Sequence, residues 1–217
     1  MADAETEFIS GMMQLHFGVD TKASLLKLAP YVPWARGWPE DPEAFWNAEA
    51  FMWGYQIPKD IRQAIAEEIA FLAKGKNLDL GCGAYSYITS VGFDISPLML
   101  RYNERCSAKI VGDVEQLLPF RNNEFDSVTA IFLLNYVARH QQLLAEIKRV
   151  LRLQGRVMIV LARQVQAWQR TKQQNALTIV QWKALLEKQG FSVSHYQKQG
   201  LFFLQGKKLL KEEDTKV

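Results

Sequence analysis

Glycines and acids that follow two apolar segments are the residues of this sequence whose types and spacing suggest chemistry. The stretch Asn77–Pro97 predicts a buried strand, then a glycine turn over residues 81–83, then a second strand that ends on Asp94. Backbone N–H groups in such a turn can approach an anionic or polar ligand closely. An acid at the end of the second strand can accept both hydroxyls of a ribose. The spacing therefore predicts a nucleoside-type ligand at the carboxyl ends of a parallel sheet.

The elements that must position these residues alternate along the chain. From Asn77 onward, strands and helices follow each other, which predicts one α/β sandwich with a mostly parallel sheet. The apolar run Phe125–Leu134 is typical of a central parallel strand covered on both faces. Thr178 and Gln181 have the spacing of a capping box at the start of the last helix. Two final strands, joined near Gly200, are expected to form an antiparallel hairpin at one edge.

The first 76 residues show no strand alternation and are predicted to be mainly helical. Isoleucines at helical spacing over residues 57–69, with Pro58 in the first turn and Gly75 after the end, predict a helix that lies on the sheet. Aromatic residues crowd the segment before this helix. They are expected to pack a helical cap or, alternatively, to line a pocket over the sheet edge. These aromatic residues are Trp34, Trp38, Phe45, Trp46, Phe51, Trp53 and Tyr55.

Composition sets limits on the class of protein. The 217 residues suffice for one α/β domain with an extension, and the 48% apolar and 23% charged content is ordinary for a soluble globular protein. The net charge of +3 is too small to indicate a nucleic-acid binder. The two cysteines, Cys82 and Cys106, form neither a disulfide framework nor a metal-ligand spacing, so we expect no metal and a cytoplasmic location. Neither a membrane span nor a signal peptide is predicted.

Several stretches, in this order, resemble a known family. The segments are LDLGCG, then VGFDISPLML, then GDVEQLLPFRNNEFDSVTAIFLLNYV, then EIKRVLRLQGRVMIV. They are similar to the class I S-adenosylmethionine-dependent methyltransferases, particularly the type 11 group. The resemblance implies a Rossmann-like three-layer sandwich with a seven-stranded sheet, and S-adenosyl-L-methionine as the cofactor. It covers residues 77–206, which leaves residues 1–76 as a helical extension and residues 207–217 as a charged tail that is expected to fray.

The resemblance also implies which residues bind the cofactor. The first acid and the glycine turn would contact the methionine part, and the second acid would bind the ribose. The acid after the third strand would accept the adenine amino group, and the end of the fourth strand would lie beside the sulfonium. The residues at these positions are Asp79, Gly81, Cys82, Gly83, Asp94, Ile95, Asp113, Val114, Phe132 and Leu133. For Asp113, the alternative is an aspartate that only caps its loop.

Two departures from the family pattern concern the turn and the crossover that follows it. Tyr85 stands where the family usually has a third glycine, and it is included among the expected cofactor contacts. Residues 84–90 are too few for the usual crossover helix, so one wall of the pocket must come from elsewhere. We expect the N-terminal helices to supply that wall. Tyr85 and Tyr87 either meet the cofactor or the acceptor there, or replace the packing of the missing helix.

The expected reaction is an in-line methyl transfer, for which the protein mainly supplies proximity and alignment. Some acceptors also need a general base, and the candidates are Tyr136, His140 and His16. The family often has a histidine pair where Asn135 and Tyr136 stand here, so that base is absent. For His140 and His16, a structural role is the alternative.

The identity of the methyl acceptor is open at this point. The aromatic cap favours a small molecule, whereas an RNA or a protein acceptor is a second hypothesis. A third is a methyltransferase-like binding or assembly protein that has lost catalysis, suggested by the missing glycine and the short crossover. A nicotinamide-dependent enzyme fits poorly, because the later glycine of its fingerprint is absent. The sequence does not indicate an oligomeric state.

Overall fold

The computed structural model describes residues 3–162 and 172–209. Its N-terminal part is helical. The helices are α1 (Ala4–His16), α2 (Lys22–Leu28), α3 (Pro42–Glu49), α4 (Trp53–Gln56) and α5 (Lys59–Ile69), with short 3-10 turns at Ala29–Tyr31, Pro33–Ala35 and Ala70–Lys74. Asp3 and Asp41 cap α1 and α3 by accepting backbone N–H groups of the first turn. Within the described ranges, no helix has the length and apolarity needed to cross a membrane.

Helices α1 to α3 enclose an apolar cluster of their own. Phe8 and Met12 of α1 are fully buried, and the edges of Trp34 and Trp38 meet the Phe8 ring at centroid distances of 5.5 and 5.7 Å. Helix α5 packs elsewhere, because its Ile65 and Ile69 belong to a second cluster on one face of the sheet. The packing function predicted for the aromatic residues is therefore seen for Trp34 and Trp38.

Seven strands form one mixed sheet, as predicted. They are β1 (Asn77–Leu80), β2 (Ser90–Asp94), β3 (Cys106–Val111), β4 (Phe125–Ile131), β5 (Leu151–Ala162), β6 (Phe191–Lys198) and β7 (Leu201–Lys208), in the order β3-β2-β1-β4-β5-β7-β6. The β7 strand runs antiparallel to both β5 and β6, and the other neighbouring pairs are parallel. Helices α6 (Pro97–Tyr102), α7 (His140–Val150) and α8 (Ile179–Lys188) complete the layers. The fold class is confirmed.

Four element boundaries differ from those that the sequence predicts, which are about Arg105 for the end of α6, Leu134 for the end of the fourth strand, Arg156 for the start of the fifth and Gln205 for the end of the last. Helix α6 stops at Tyr102, because Asn103 has an extended backbone conformation (φ −81°, ψ 99°), in which its side chain bonds to the crossover. The fourth strand ends at Ile131, since Phe132 has a positive φ of 59°. The fifth strand begins at Leu151 and contains Gln154 with a φ of 63°, where its register with β4 shifts. The last strand includes Lys207 and Lys208; residues 210–217 of the predicted tail lie outside the described range.

The crossover between β1 and β2 contains no helix, as its length predicted. Asn103 holds it instead: the side-chain amide donates to the Gly83 carbonyl and to Ser86 Oγ, both at 3.0 Å, and accepts the Ser86 N–H at 3.3 Å. Arg105 Nη1 donates to the Tyr87 carbonyl at 2.8 Å. Side-chain hydrogen bonds from the segment that follows α6 therefore replace the hydrogen bonds that a crossover helix would make within itself.

Candidate active site

The carboxyl ends of the central strands open into a cavity of about 300 Å³. The glycine turn, the loops after β2, β3 and β4, and helices α3 and α4 form its walls. Eight of the eleven predicted cofactor residues line it, together with Tyr136: they are Gly81, Gly83, Asp94, Ile95, Asp113, Val114, Phe132 and Leu133. The other three, Asp79, Cys82 and Tyr85, line a narrower pocket of about 10 Å³ that shares Gly81, Phe132 and Trp53 with the cavity.

The glycine turn needs glycine at both ends for two separate reasons. Gly81 and Gly83 each have a φ of +57°, which side chains rarely adopt. A Cβ on Gly81 would lie 2.6 Å from Leu133 Cδ1, and one on Gly83 would lie 2.8 Å from the indole nitrogen of Trp53. The Gly81 N–H donates to the Phe93 carbonyl at 2.8 Å, which ties the turn to β2. Side chains of two different elements thus pack directly on the turn.

Asp94 lies buried at the end of β2 and holds the turn as well as facing the cavity. Its Oδ2 accepts the Gly83 N–H at 2.8 Å, and its Oδ1 accepts the Ser96 N–H at 2.9 Å. Burial raises the pKa of this carboxyl to about 6, although both hydrogen bonds act in the opposite direction. A carboxylate has about four lone-pair positions, so two remain for ligand hydroxyls.

Asp79 is the second buried carboxylate, at the end of β1. Thr129 Oγ1 donates to its Oδ1 at 2.7 Å, and burial raises its pKa to about 6. The nearby Tyr87 hydroxyl is buried and has no hydrogen-bond partner among the described residues. Burial and the Asp79 charge raise the pKa of Tyr87. Because unpaired buried polar groups are costly, a buried hydroxyl without a partner beside a buried carboxylate suits a small polar group of a ligand, of the kind that the methionine end of the implied cofactor carries.

The loop after β3 brings two further acids to the cavity. Asp113 Oδ1 accepts the Glu115 N–H at 2.8 Å, so Asp113 caps its loop, which was the structural alternative, and still lines the cavity. Glu115 in turn accepts the backbone N–H groups of Ala138 and Arg139. These bonds join the loop after β3 to the segment after β4. The adenine contact of Asp113 remains a prediction.

The two cysteines lie together next to the turn. The missing side chain of Gly92 in β2 leaves room for both thiols: a Cβ at Gly92 would lie 2.3 Å from Cys106 Sγ and 3.0 Å from Cys82 Sγ. Both thiols are free. Their mutual hydrogen bond and burial raise the pKa of Cys82, whereas the same hydrogen bond lowers the pKa of Cys106 to about 7 against the effect of partial burial. The protonated Cys82 thiol is thus a small packing group of the turn.

The N-terminal helices supply the opposite wall through Pro42, Trp46 and Trp53. The Trp46 ring stands perpendicular to Trp53 and to Tyr136, with centroid distances of 6.2 and 5.0 Å. Asn47 anchors this wall to the sheet, because its Oδ1 accepts Ser96 Oγ–H at 2.7 Å and the Leu98 N–H at 3.3 Å. The sequence showed that aromatic residues crowd this segment but did not single out Trp46, Trp53 or Asn47.

Tyr136 borders the cavity, whereas Tyr85 lies in the narrower pocket beside it. The Tyr85 ring lies between two cations, with Arg62 and Arg105 guanidinium carbons each 5.2 Å from its centroid. Burial and the Glu49 carboxylate raise the pKa of Tyr136 to about 12, so this cavity residue stays protonated at neutral pH. His140 packs its ring on Trp182, and His16 pairs with Glu49 at 3.4 Å inside the N-terminal helices. Neither histidine lines the cavity.

Part of the chain matches a known protein family and a known protein. Residues 78–159 match the family model described as a methyltransferase domain. An uncharacterized protein of Methanocaldococcus jannaschii is 29% identical over 92 residues, which are 41% of this chain and 45% of that protein. The matched segment thus spans less than half of this curated relative.

Solved structures share the fold at low identity. A chain from the complex of the Haloferax volcanii Trm112 methyltransferase activator with a methyltransferase superposes with a TM-score of 0.55 and 16% identity, over 76% of this chain and 98% of that one. An S-adenosylmethionine-dependent methyltransferase of Mesorhizobium loti gives a TM-score of 0.56 and 13% identity, over 67% and 96% of the two chains. Residues 78–159 are therefore similar to a methyltransferase domain, the strands and helices described between residues 77 and 206 share the class I methyltransferase fold, and this similarity implies S-adenosyl-L-methionine as the cofactor.

Proposed function

We propose that this protein transfers a methyl group from S-adenosyl-L-methionine to a small-molecule acceptor in the 300 Å³ cavity. One observation supports this most strongly. Two buried carboxylates, Asp79 and Asp94, flank a glycine turn at the strand ends, and an aromatic wall from the N-terminal helices closes the cavity beside them. Buried acids with raised pKa values destabilise the folded chain, so their place in a cleft favours a functional role.

Each side of the cavity has its own task in this proposal. When bound, the cofactor supplies an activated methyl group on a sulfonium. Asp94 and Asp113 would hold the ribose and the adenine, and Asp79 with Tyr87 would hold the methionine end. Phe132 and Leu133, at the end of β4, would border the reacting methyl group, and Trp46 and Trp53 would exclude water from it.

Proton transfer needs no buried histidine in this arrangement. Tyr136 remains the candidate base that borders the cavity, but its raised pKa favours hydrogen-bond donation over proton abstraction at neutral pH. His16 and His140 are proposed as structural residues, because each is packed against other groups away from the cavity. We expect the protein to act chiefly by orienting the two reactants.

Isothermal titration calorimetry with S-adenosylmethionine and with S-adenosylhomocysteine tests the proposal. Both are expected to bind at one site per chain. If neither ligand binds at concentrations well above the dissociation constants of ordinary cofactor sites, the enzyme assignment is wrong.

An inactive, methyltransferase-like binding protein is the second candidate. Trp53 favours it, because the indole lies directly on Gly83, where the methionine part of the cofactor is expected. Cofactor binding without turnover of any tested acceptor would support this candidate. An RNA acceptor is not favoured by the cavity, whose described lining has no cationic side chain. A gel shift with cellular RNA at moderate salt would contradict the small-molecule proposal.

A further inference from the structure

The charge of the cavity wall restricts the acceptor. Each charged side chain that lines the cavity within residues 3–162 and 172–209 is a carboxylate: Asp94, Asp113 or Glu115. The nearest described cation along the chain from the lining residue Gln174 is Lys172, and it pairs with Glu40 at 3.1 Å. Among the described lining residues, a carboxylate or phosphate on the acceptor would meet like charge and find no compensating cation. The wall therefore disfavours anionic acceptors.

Aromatic side chains from the N-terminal helices and from the segment after β4 form another part of the cavity wall. Trp46, Trp53 and Tyr136 border one cavity, and Trp46 stands perpendicular to both of the others. Ring faces carry a negative quadrupole that attracts a cation, most strongly for tryptophan. Rings in two orientations, together with Glu115, the lining carboxylate to which no cofactor contact is assigned, stabilise positive charge on a ligand. They do little for an oxygen acceptor that must become an anion before it reacts.

We propose that the methyl acceptor is a small amine whose nitrogen lies against Trp46, Trp53 and Tyr136, and that Trp46 determines this specificity. The inference rests on the proposed function and deepens it, because it names the acceptor class of the same site. Trp46 is the central ring of the three and comes from the N-terminal extension, where the resemblance to methyltransferases does not reach.

The transfer step is balanced for an amine without a catalytic base. The amine binds as an ammonium and first releases one proton to water, so no side chain with a pKa near 7 is required at the cavity. The lone pair of the neutral nitrogen then forms the new N–C bond, while the C–S bond breaks and its electron pair stays on sulfur. Positive charge thereby moves from sulfur to nitrogen, inside a wall that favours positive charge, and the methylated product leaves as an ammonium.

Binding of matched probes tests the acceptor class. The probes are 2-phenylethylamine, 2-phenylethanol and phenylacetate, titrated by ligand-observed NMR into the full chain saturated with S-adenosylhomocysteine. We expect the amine to bind about tenfold tighter than the alcohol, and phenylacetate to bind more weakly than both. Equal or tighter binding of phenylacetate, or no preference for the amine over the alcohol, would overturn the proposal, as would a failure of all three to bind.

Variants test the role assigned to Trp46. Trp46→Leu should lower the amine affinity about tenfold and leave the alcohol affinity nearly unchanged, and Trp46→Phe should restore most of the loss because a ring face returns. Tyr55→Leu is the matched control: this aromatic residue of α4 is 82% exposed and does not line the cavity. If Trp46→Leu weakens amine and alcohol equally, Trp46 contributes packing alone and the specificity assignment is wrong.

The order of measurements separates this inference from the function on which it rests. Calorimetry with S-adenosylhomocysteine comes first, on the wild type and on each variant. If the wild type does not bind it, both the function and the inference fail. If it binds and the amine preference is absent, the methyltransferase proposal stands and the amine inference alone fails.

Discussion

The two walls of the cavity differ in the chemistry of their residues and come from different parts of the chain. The sheet wall consists of a glycine turn and acids at strand ends, with Asp79 and Asp94 fully buried. The N-terminal wall consists of Pro42, Trp46 and Trp53 and carries no charge. In the proposed function, the polar sheet wall binds the cofactor and the aromatic wall binds the acceptor.

The largest expected effect is a loss of cofactor affinity when a residue of the sheet wall is substituted. Asp94→Ala should lower the affinity for S-adenosylhomocysteine by about 100-fold or more, since it removes charge-assisted hydrogen bonds worth about 1.5–3 kcal/mol each. Calorimetry measures the loss. Asp126→Ala is the control at the opposite end of the sheet, where Asp126 accepts the Lys76 N–H and pairs with Arg152. Unchanged affinity in Asp94→Ala would refute the ribose assignment.

The next effect concerns the point where the two walls touch. Gly83→Ala should lower the free energy of unfolding by about 1–3 kcal/mol, because a side chain at φ +57° is strained and its Cβ would meet Trp53 at 2.8 Å. Urea denaturation measures this. Gly54→Ala is the matched control on α4, where a Cβ would have no atom within 4 Å. Equal stability of the two variants would show that Trp53 does not pack on the turn.

A pH effect follows from the buried acids of the sheet wall. Burial raises the folded-state pKa of Asp79 from 3.8 to about 6, so the folded state holds a proton that the unfolded state has lost between these values. This residue therefore lowers stability as pH rises from about 4 to about 6. Asp79→Asn should remove that dependence and stabilise the cofactor-free chain at pH 7.5 by up to about 3 kcal/mol.

The comparison that isolates Asp79 is the difference between wild type and variant at each pH, measured by urea denaturation from pH 4 to 8. Glu146 and Asp126, whose pKa values are lowered by Arg149 and by the Lys76 N–H, contribute the opposite slope to both proteins equally. A difference that stays constant across this range would contradict the raised pKa of Asp79.

The smallest effect sharpens the description of the turn. Iodoacetamide should modify Cys106 before Cys82, with a rate that rises through about pH 7, because the hydrogen bond from Cys82 lowers the pKa of Cys106 while Cys82 is buried and protonated. Mass spectrometry of peptides locates the label. Cys106→Ser should leave a chain that reacts slowly below pH 8. Preferential labelling of Cys82 would show that the turn is open.

Most of the sheet wall could be predicted from the sequence, because its residues act through local rules. A glycine turn needs positive φ, and a parallel sheet places every strand end at the same edge, so Gly81, Gly83, Asp94 and Asp113 were expected near one site. The missing crossover helix followed from a count of residues. The end of α6 was missed, because Asn103 bonds to a loop that lies 17 residues earlier.

The sequence by itself determined the fold class and which strand ends carry acids, since each depends on patterns within one strand, turn or helix. Its resemblance to methyltransferases indicated the cofactor. Tertiary structure decided which aromatic residues pack a core and which face the cavity. Trp34 and Trp38 lie against Phe8, whereas Trp46 and Trp53 reach the glycine turn and Tyr136. Helical spacing describes which face of a helix is apolar, but which neighbour covers that face depends on contacts between residues far apart in the chain.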